Sequence, residues 1–431
     1  MIVPSQRLML VAAVVVVPLA TAAGFVPGVA LPCVITLGLC AAAAAADALR
    51  SLDRLDALHL RTPAFLRLTK DVPTHLPVFI DNRSLHPIAL RLGAVMPTGV
   101  ASESLIEDVL APAGASRFDW PATGIARGDH PLAVLHLEVA SPFGLWLARA
   151  TRAAACALRV YPNLRDRSTA ALFLKRADAG PRAHRLLGKG REFDNLRQYM
   201  PGDNFEDIYW KATARRHFPV VKLYRAEHAQ EVYAIIDASR LSALGDILES
   251  YVNAALHLAL VAERQGDRFG LLTFSDRTHR FLRAGNGVNH FRLCRETIYN
   301  LQARRVSPDF RDVFTNLQLN LRRRALLVFF TSLDDALLAE TFEREISLLA
   351  RRHVVLVNVT RPSIDPLFSG DPAPDLDALY TSLAGQMLSN RMRRLAIALG
   401  NRGVRLSTVD SLHIKTQVTA EYLEVKRRQL L

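Results

Sequence analysis

Cysteine is scarce in this chain, whose 431 residues include only four. Cys33 and Cys40 fall in a long apolar run, and Cys156 and Cys294 stand alone. None of these spacings matches the cysteine pairs of zinc sites or redox centres. The sequence therefore predicts no disulfide framework, which suits a reducing compartment.

Signatures of common enzyme classes are also missing. The 13 histidines form no H-E-x-x-H pair, and neither G-x-S-x-G nor G-x-x-x-x-G-K-[ST] occurs. Those patterns supply zinc ligands, an activated nucleophile and a phosphate cradle, respectively. The Gly285-Asn286-Gly287 turn is too short for such a cradle. We therefore expect a protein that is not an enzyme.

Charged residues are absent from positions 8–46. A membrane helix needs about 20 apolar residues to cross a core of about 30 Å, so this run accommodates two. Gly24-Phe25-Val26-Pro27-Gly28 provides turn chemistry between them. Arginines lie before and after the run but not in the turn, at Arg7, Arg50, Arg54 and Arg61. The positive-inside rule therefore predicts a transmembrane helical hairpin over 1–50 in the inner cell membrane, with the soluble part in the cytoplasm.

A secretory signal is the alternative interpretation of this start. Ala20-Thr21-Ala22 resembles an A-x-A cleavage site behind a short apolar region that Arg7 opens. In that case residues 25–46 would still span the membrane once, and Arg50 and Arg54 would still hold the far end inside.

Lysine and arginine outnumber aspartate and glutamate by 54 to 41, which gives a net charge of +13. The basic residues are scattered in short groups, without a nucleic-acid recognition module. Beside an anionic leaflet, each cation gains about 1 kcal/mol. We therefore expect this positive charge to interact with membrane lipid and not with nucleic acid.

Residues 55–165 contain short alternating segments separated by turn residues. Such segments lie at 76–80, 88–92 and 133–139. They predict a β-sandwich-like domain. One face would be filled by Val78, Ile80, Ile88, Leu90 and Leu92. Because no carboxylates, nucleophiles or metal ligands cluster here, we interpret the region as a structural or docking module.

Residues 166–228 combine charged and aromatic side chains at unusual density. Pro201-Gly202 predicts a tight turn, and Asp203 is placed to cap a short helix over 205–214. Arg197 has the geometry to hold a carboxylate such as Asp203 or Glu192. We interpret the segment as a latch that joins two domains through buried ion pairs and an anchored Trp210, with an active site as the alternative.

Residues 229–431 alternate between apolar strands and helical patterns. The predicted strands are 232–237, 269–274, 326–330, 354–359 and 404–409, and the predicted helices are 244–264, 288–302, 336–350 and 376–399. This alternation predicts an α/β domain whose mostly parallel sheet is covered on both faces. Ligands of such sheets bind beyond the carboxyl ends of the strands.

The segment around Pro201 resembles the signature of a bacterial family, domain of unknown function number fifty-eight: G-x-E-F-x-x-L-R-x-Y-x-P-G-D-D-x-R-x-I-D-W-x-x-S-A-R. The matching residues are Gly190, Glu192, Phe193, Leu196, Arg197, Tyr199, Pro201, Gly202, Asp203, Ile208, Trp210, Ala214 and Arg215. The chain departs from the signature at Asn204, Glu206, Tyr209 and Thr213. Ser141-Pro142-Phe143-Gly144-Leu145 and Val160-Tyr161-Pro162 are similar to the family's D-P-F-G-L and V-Y-P.

The resemblance implies a von Willebrand factor A-like (Rossmann-like) fold for 229–431. Such domains hold a divalent cation with D-x-S-x-S, a later Thr and a later Asp. Asp237 and Ser239 match here, and Thr315 and Asp334 are the candidates for the later pair, but Leu241 replaces the second hydroxyl. Because Mg²⁺ requires a full oxygen set, we expect no metal cofactor, with a bound Mg²⁺ as the alternative.

Relatives in this family are typically encoded beside MoxR-type AAA+ ATPases. The resemblance therefore implies a membrane-anchored adaptor or scaffold that binds such an ATPase and a client protein during complex assembly or maturation. Two alternatives stay open. One is a hydrolase or other enzyme that uses Arg197, Asp203 and Trp210, and the other is a purely structural membrane protein.

Overall fold

The structure is a computed structural model that describes residues 1–25, 30–164, 187–201, 203, 205–225, 229–360 and 376–428. Most of the predicted hairpin turn, and Gly202 of the signature, lie outside the described residues. The chain forms two compact units, Met1–Asn163 and Leu164–Leu431. The predicted hairpin therefore belongs to the same unit as the β-rich region, and the signature segment belongs to the same unit as the α/β sheet.

Two apolar helices, α1 (Gln6–Phe25) and α2 (Ala30–Asp56), are long and apolar enough to cross a membrane. Their apolar windows are 0% and 11% buried within the molecule. α1 includes a π-helical turn at Ala12–Val16. α2 continues to Asp56, six residues past the predicted end of the hairpin at 50.

The rest of the first unit is β-rich, as the alternating segments predict. Its strands are β1 (Ile2–Pro4), β2 (Leu58–Arg61), β3 (Phe65–Thr69), β4 (Pro73–Asn82), β5 (Ile88–Ala94), β6 (Val100–Ala101), β7 (Ile106–Ala111), β8 (Gly114–Gly124), β9 (Gly128–Ala140) and β10 (Trp146–Tyr161). One sheet has the order β1-β10-β9-β5-β7, with β3 also on β10, and the other has the order β2-β4-β8-β6. The predicted inward residues, Val78, Ile80, Ile88, Leu90 and Leu92, are all buried in one core that both sheets share.

Strand β1 ties the start of α1 to this β-rich body. Ile2–Pro4 pair antiparallel with residues 146–148 of β10. Ser5 then caps α1, because its Oγ accepts from the backbone N–H of Leu8 at 3.3 Å while its own N–H donates to the Leu145 carbonyl at 2.9 Å. The entry of α1 is therefore fixed by the loop before β10.

The same loop holds the second half of α2 through the buried carboxylate of Asp47. Asp47 accepts from the Ser141 hydroxyl at 2.5 Å and from the backbone N–H groups of Phe143 and Leu145 at 3.0 and 3.4 Å. Gly144 has φ +71°, and a Cβ there would come within 3.1 Å of the Arg7 guanidinium. This loop, 141–145, is the segment that resembles D-P-F-G-L, and it joins both apolar helices to one body.

Replacing Asp47 tests this junction. Asp47→Ala leaves a hydroxyl and two N–H groups unpaired in a buried site, at a cost of about 3 kcal/mol. We expect the thermal midpoint of the full chain in detergent to fall by about 5 °C or more. Asp53→Ala, an exposed carboxylate on the same helix, is the matched control. Equal midpoints for the two variants would contradict the role of Asp47.

The described part of the second unit contains a two-stranded antiparallel sheet followed by a six-stranded sheet. Its strands are β11 (Leu187–Gln198), β12 (Val220–Arg225), β13 (Glu231–Asp237), β14 (Arg268–Phe274), β15 (Thr278–Gly285), β16 (Ala325–Phe330), β17 (Val354–Thr360) and β18 (Val404–Val409). Its helices are α3 (Trp210–Arg216), α4 (Ile247–Arg264), α5 (Val288–Ile298), α6 (Phe310–Asn320), α7 (Ala336–Ala350), α8 (Leu376–Gly400) and α9 (Ile414–Arg427). The larger sheet has the order β15-β14-β13-β16-β17-β18, parallel except for β15.

Helices cover both faces of the larger sheet, as predicted for an α/β domain. Alternate residues of β13 point to opposite sides: Ile236 packs in a core with α4 and α9, and Ile235 packs in a core with α6, α7 and α8. The five predicted apolar strands are confirmed within one residue at each end. β15, α6 and α9 were not predicted, because their polar residues weaken the periodic signal.

Candidate functional site

The strand order reverses at the carboxyl end of β13, and this switch point is named the crevice here. From β13 the chain proceeds to β14 and β15 on one side, and then crosses to β16 on the other. Open α/β sheets bind ligands where the order reverses in this way. Asp237 is the last residue of β13, and Thr331 follows the last residue of β16. The predicted residues Asp237, Ser239 and Asp334 therefore lie at this crevice.

Asp237 is fully buried, and both of its carboxylate oxygens accept hydrogen bonds. One carboxylate oxygen accepts from the Thr331 hydroxyl at 2.6 Å, and the other accepts from the backbone N–H of Ser239 at 2.8 Å. Burial raises the pKa of the Asp237 carboxyl, and hydrogen bonds from Thr331 and Ser239 only partly oppose this. The carboxylate thus ties the loop after β13 to the loop after β16.

Ser239 holds the loop rather than facing the crevice. Its Oγ accepts from the N–H of Leu241 at 3.3 Å and caps a 3₁₀ turn, Arg240–Ser242. Ser239 is itself fully buried. Ser239 therefore caps this turn, while Asp237 accepts from the loop N–H of Ser239.

Three of the four candidate metal ligands, Asp237, Ser239 and Asp334, lie at the carboxyl edge of the sheet. Among the described residues no group of three or more His, Cys, Asp or Glu side chains could hold a metal. Both oxygens of Asp237 accept hydrogen bonds. The buried oxygens near the ends of β16 and β17 that have no hydrogen-bond partner are the hydroxyls of Ser332 and Thr360, the amide oxygen of Asn358 and one carboxylate oxygen of Asp334, and the Ser242 hydroxyl after β13 also has none. Thr315, the candidate for the later hydroxyl, lies exposed within α6.

Three residues that the sequence did not single out form the outer side of the crevice. Arg240 donates to a carboxylate oxygen of Asp335 at 2.7 Å and to the Ser307 hydroxyl at 3.2 Å. Hydrogen bonds from Arg240 hold the pKa of Asp335 below its ordinary value. Asp335 also caps α7 by accepting from the N–H of Leu337 at 3.0 Å. The available signal was the acidic cap before a helical pattern, which marks Asp335 as the start of α7.

The backbone of loop 299–309 is hydrogen-bonded to the loop after β13. The N–H of Arg304 donates to the Ala238 carbonyl at 2.8 Å, and the N–H of Arg240 donates to the Val306 carbonyl at 2.9 Å. These bonds place Ser307, rather than the predicted Thr315, beside the loop after β13. The strand-end loops, defined here as 238–246, 299–309 and 331–335, therefore form one connected group.

A serine and a histidine meet at the end of the neighbouring strand β14. The Ser275 hydroxyl lies 2.7 Å from Asp276 Oδ1 and 2.7 Å from His279 Nε2. Burial and the nearby Arg304 lower the pKa of His279. In this cluster the carboxylate contacts the serine and not the imidazole, and Ser275 is fully buried. The arrangement therefore lacks the orienting acid and the accessible hydroxyl of a nucleophilic triad.

In the signature segment, Arg197 and Asp203 close the turn between β11 and α3. Arg197 donates to Asp203 at 2.6 Å, and the N–H of Met200 donates to the other carboxylate oxygen at 2.9 Å. The Met200 N–H, followed by Arg197, lowers the pKa of Asp203. Asp203 therefore does not cap a helix over 205–214, where the structure has a short 3₁₀ turn, Phe205–Asp207, and then α3.

The remaining signature residues divide into exposed and packed groups. Trp210 is 66% exposed, so it is not the buried anchor that the sequence suggested. Arg215 is also exposed, whereas Tyr199 packs on Phe205 with ring centroids 5.8 Å apart. Pro201 follows Met200 in the turn. Glu192 and Phe193 lie in β11, and only their backbone is described.

Residues 195–369 match the profile of a family described as "Protein of unknown function DUF58". This part of the chain is similar to that family and is named the DUF58 segment here. The resemblance drawn from the sequence is thereby confirmed. The DUF58 segment contains the Arg197–Asp203 pair, β13 to β17 and all of the strand-end loops. No curated protein matches the chain in sequence.

Several solved structures show partial likeness to the chain. A VWA domain, that of SpRpn10, is 12% identical over 44% of this chain and 94% of its own length, with a TM-score of 0.28. The PapD-like domain 7 of human CEP192 is 8% identical over 25% of this chain and 87% of its own, with a TM-score of 0.19. WR4, a C. elegans MSP family member, is 11% identical over 24% and 97%, with a TM-score of 0.16. At these scores the likenesses carry no argument about function.

The raised pKa of Asp237 predicts a signed pH dependence of stability. A group of this kind contributes stability that is present below the ordinary aspartate pKa, about 3.9, and is lost as the pH rises through the raised folded value. Asp237→Asn has no such proton to lose. We therefore expect the thermal midpoint of the variant, minus that of the wild type, to increase from about pH 4 to about pH 8.

Asp246→Asn is the control for this measurement, because Asp246 is exposed in the same loop. Its difference from the wild type should stay constant over the same range. A constant difference for Asp237→Asn as well would contradict the assignment of a raised pKa to that carboxyl.

Proposed function

We propose that this protein is a membrane-anchored scaffold whose strand-end loops bind a protein partner. The partner we infer is a MoxR-type AAA+ ATPase, acting with a client protein in complex assembly or maturation. We also assign the α/β sheet to the von Willebrand factor A-like type, since its strand order and the Asp237-x-Ser239 pair suit that fold. In this proposal recognition needs neither a metal cofactor nor catalysis.

The contrast between the inner and outer sides of the crevice supports this proposal. On the inner side, Asp237 and Ser239 are fully buried and their oxygens are hydrogen-bonded. On the outer side, Arg240 has a side chain 44% exposed, and Leu244 and Leu337 are 72% and 74% exposed. The buried polar groups therefore stabilise the loops, whereas the Arg240 cation and two leucine side chains face solvent. Arginine and apolar contacts of this kind are typical of protein interfaces.

Anchoring by a retained helical hairpin is supported by the junction at loop 141–145. β1 pairs with β10 before α1 begins, and Asp47 in the second half of α2 is bound by the same loop. If both helices cross a membrane, the start of α1 and the end of α2 must then lie on one side of it. Arg7 and Arg50 are exposed at those two ends, which favours the cytoplasmic side and contact with anionic lipid.

Cleavage at residues 20–22 would remove β1, Ser5 and the entry of α1 from the folded unit. A signal peptide is normally dispensable to the mature fold, whereas this segment contributes a strand and a helix cap. We therefore favour the retained hairpin over the secretory signal.

The anchor is tested by the fate of the amino terminus. A chain with an amino-terminal epitope tag, expressed in bacteria, should retain the tag at full length in the membrane fraction after a carbonate wash. In intact spheroplasts the carboxyl terminus should resist added protease and become sensitive only after lysis. Loss of the tag from the mature chain, or digestion before lysis, would contradict the proposed topology.

The binding surface is tested by Arg240→Ala in the full chain in detergent. We expect its affinity for a MoxR-type ATPase to fall about tenfold or more, because an exposed arginine at the centre of an interface often contributes that much. Arg402→Ala is the matched control: it removes another ion pair, with Glu343, at the opposite edge of the sheet, just before β18. Biolayer interferometry with immobilised ATPase measures both affinities.

Unchanged binding by Arg240→Ala, or an equal loss in Arg402→Ala, would remove the assignment to the strand-end loops. If the wild-type chain does not bind the ATPase at all, the choice of partner fails while the anchor stays intact.

A further inference from the structure

Helix α8 is longer than the sheet beside which it runs. Its 25 residues extend about 37 Å, whereas the seven residues of β17 extend about 23 Å. The Arg391 guanidinium donates to the Asp334 carbonyl at 3.1 Å, which fixes the level of Arg391 at the carboxyl edge of the sheet. The residues that precede Arg391 therefore extend beyond this edge, with Leu388 still packed against the core and Gly385 buried.

The two halves of α8 differ in burial. Met392, Leu395 and Leu399 are buried in the core that α8 shares with α7. Leu376, Tyr380 and Met387 are 70%, 66% and 72% exposed. Leu383, between them, is 44% exposed. The projecting half thus carries large apolar side chains that the described residues leave in solvent.

These four exposed residues form a stripe, named here the α8 stripe: Leu376, Tyr380, Leu383 and Met387. Their separations are four, three and four residues. This is the a/d spacing of a coiled-coil seam, which keeps apolar side chains on one line along a helix. The shape complementary to such a line is another helix, whose side chains enter the gaps between these knobs.

The charge of the projecting half favours a second copy of this chain as the source of that helix. Residues 376–390 contain a single charged residue, Asp377, in a chain of net charge +13. Two such helices can approach without the repulsion that the rest of the chain would impose. The absence of Lys and Arg from this half disfavours anionic lipid as its occupant.

We propose that the chain forms a symmetric dimer in which the α8 stripe of one copy packs against that of the other. A two-fold axis makes such an interface self-complementary, so one apolar stripe supplies both sides. Because residues 376–390 project past the same edge as the strand-end loops, the dimer brings two sets of these loops together. This goes beyond the proposed partner binding, since it concerns the chain alone.

Leu383→Glu tests the dimer, because it places a charge at the centre of the α8 stripe. Size-exclusion chromatography with light scattering on the full chain in detergent measures the protein mass. We expect a dimer for the wild type and a monomer for Leu383→Glu at equal concentration, with dimer affinity lowered about thirtyfold or more. The far-UV circular dichroism spectrum should stay unchanged, because the monomer remains folded, while the thermal midpoint falls with the loss of the dimer contacts.

Leu319→Glu is the matched control. Leu319 is 77% exposed at the end of α6, next to the start of β16 and away from the carboxyl edge. This variant should remain a dimer. A monomeric wild type overturns the proposal, whatever other protein the stripe then binds. A dimer that persists in Leu383→Glu, or one that Leu319→Glu also dissociates, overturns it as well.

Discussion

The buried carboxylate of Asp237 is the constraint on which the candidate site depends. It joins the ends of β13 and β16 across the point where the strand order reverses. A buried carboxylate is costly unless hydrogen bonds satisfy it, so the Thr331 hydroxyl and the Ser239 N–H are required partners. With these loops fixed, Arg240 and Asp335 are held in register on the outer side. The same residue that resembles a metal ligand in sequence thus acts as a structural tie.

The periodic parts of the fold could be predicted from the sequence, because burial on both faces leaves long apolar runs. The runs at β13 and β17 are examples, and their bounds were found within one residue. β15 was not predicted because it is an edge strand in which charged residues such as Arg280 lie among apolar residues such as Leu282. The candidate site was only half predictable. Asp237 could be identified as the end of an apolar strand. Ser307 could not be predicted, because backbone hydrogen bonds of a loop without periodicity place it beside Arg240.

Asp47 and loop 141–145, which the sequence does not connect, are in contact in the first unit. Asp47 marked the end of the uncharged run, and loop 141–145 carried a family resemblance. In the fold they form one hydrogen-bonded junction over 94 residues of chain. No local rule links positions so far apart, because tertiary contact decides which N–H groups a carboxylate receives. The exposed Trp210 gives the opposite lesson, since a large aromatic side chain in a charged segment indicated burial that the fold does not provide.

The most direct test of a recognition role is hydrogen–deuterium exchange on the full chain with and without the MoxR-type ATPase. The account predicts slower exchange at the strand-end loops, 238–246, 299–309 and 331–335, when the ATPase is present. Exchange at the opposite edge of the sheet, around residues 322–324 and 401–403, should stay unchanged. Protection confined to that opposite edge, with the strand-end loops unaffected, would contradict the central claim that these loops form the binding surface.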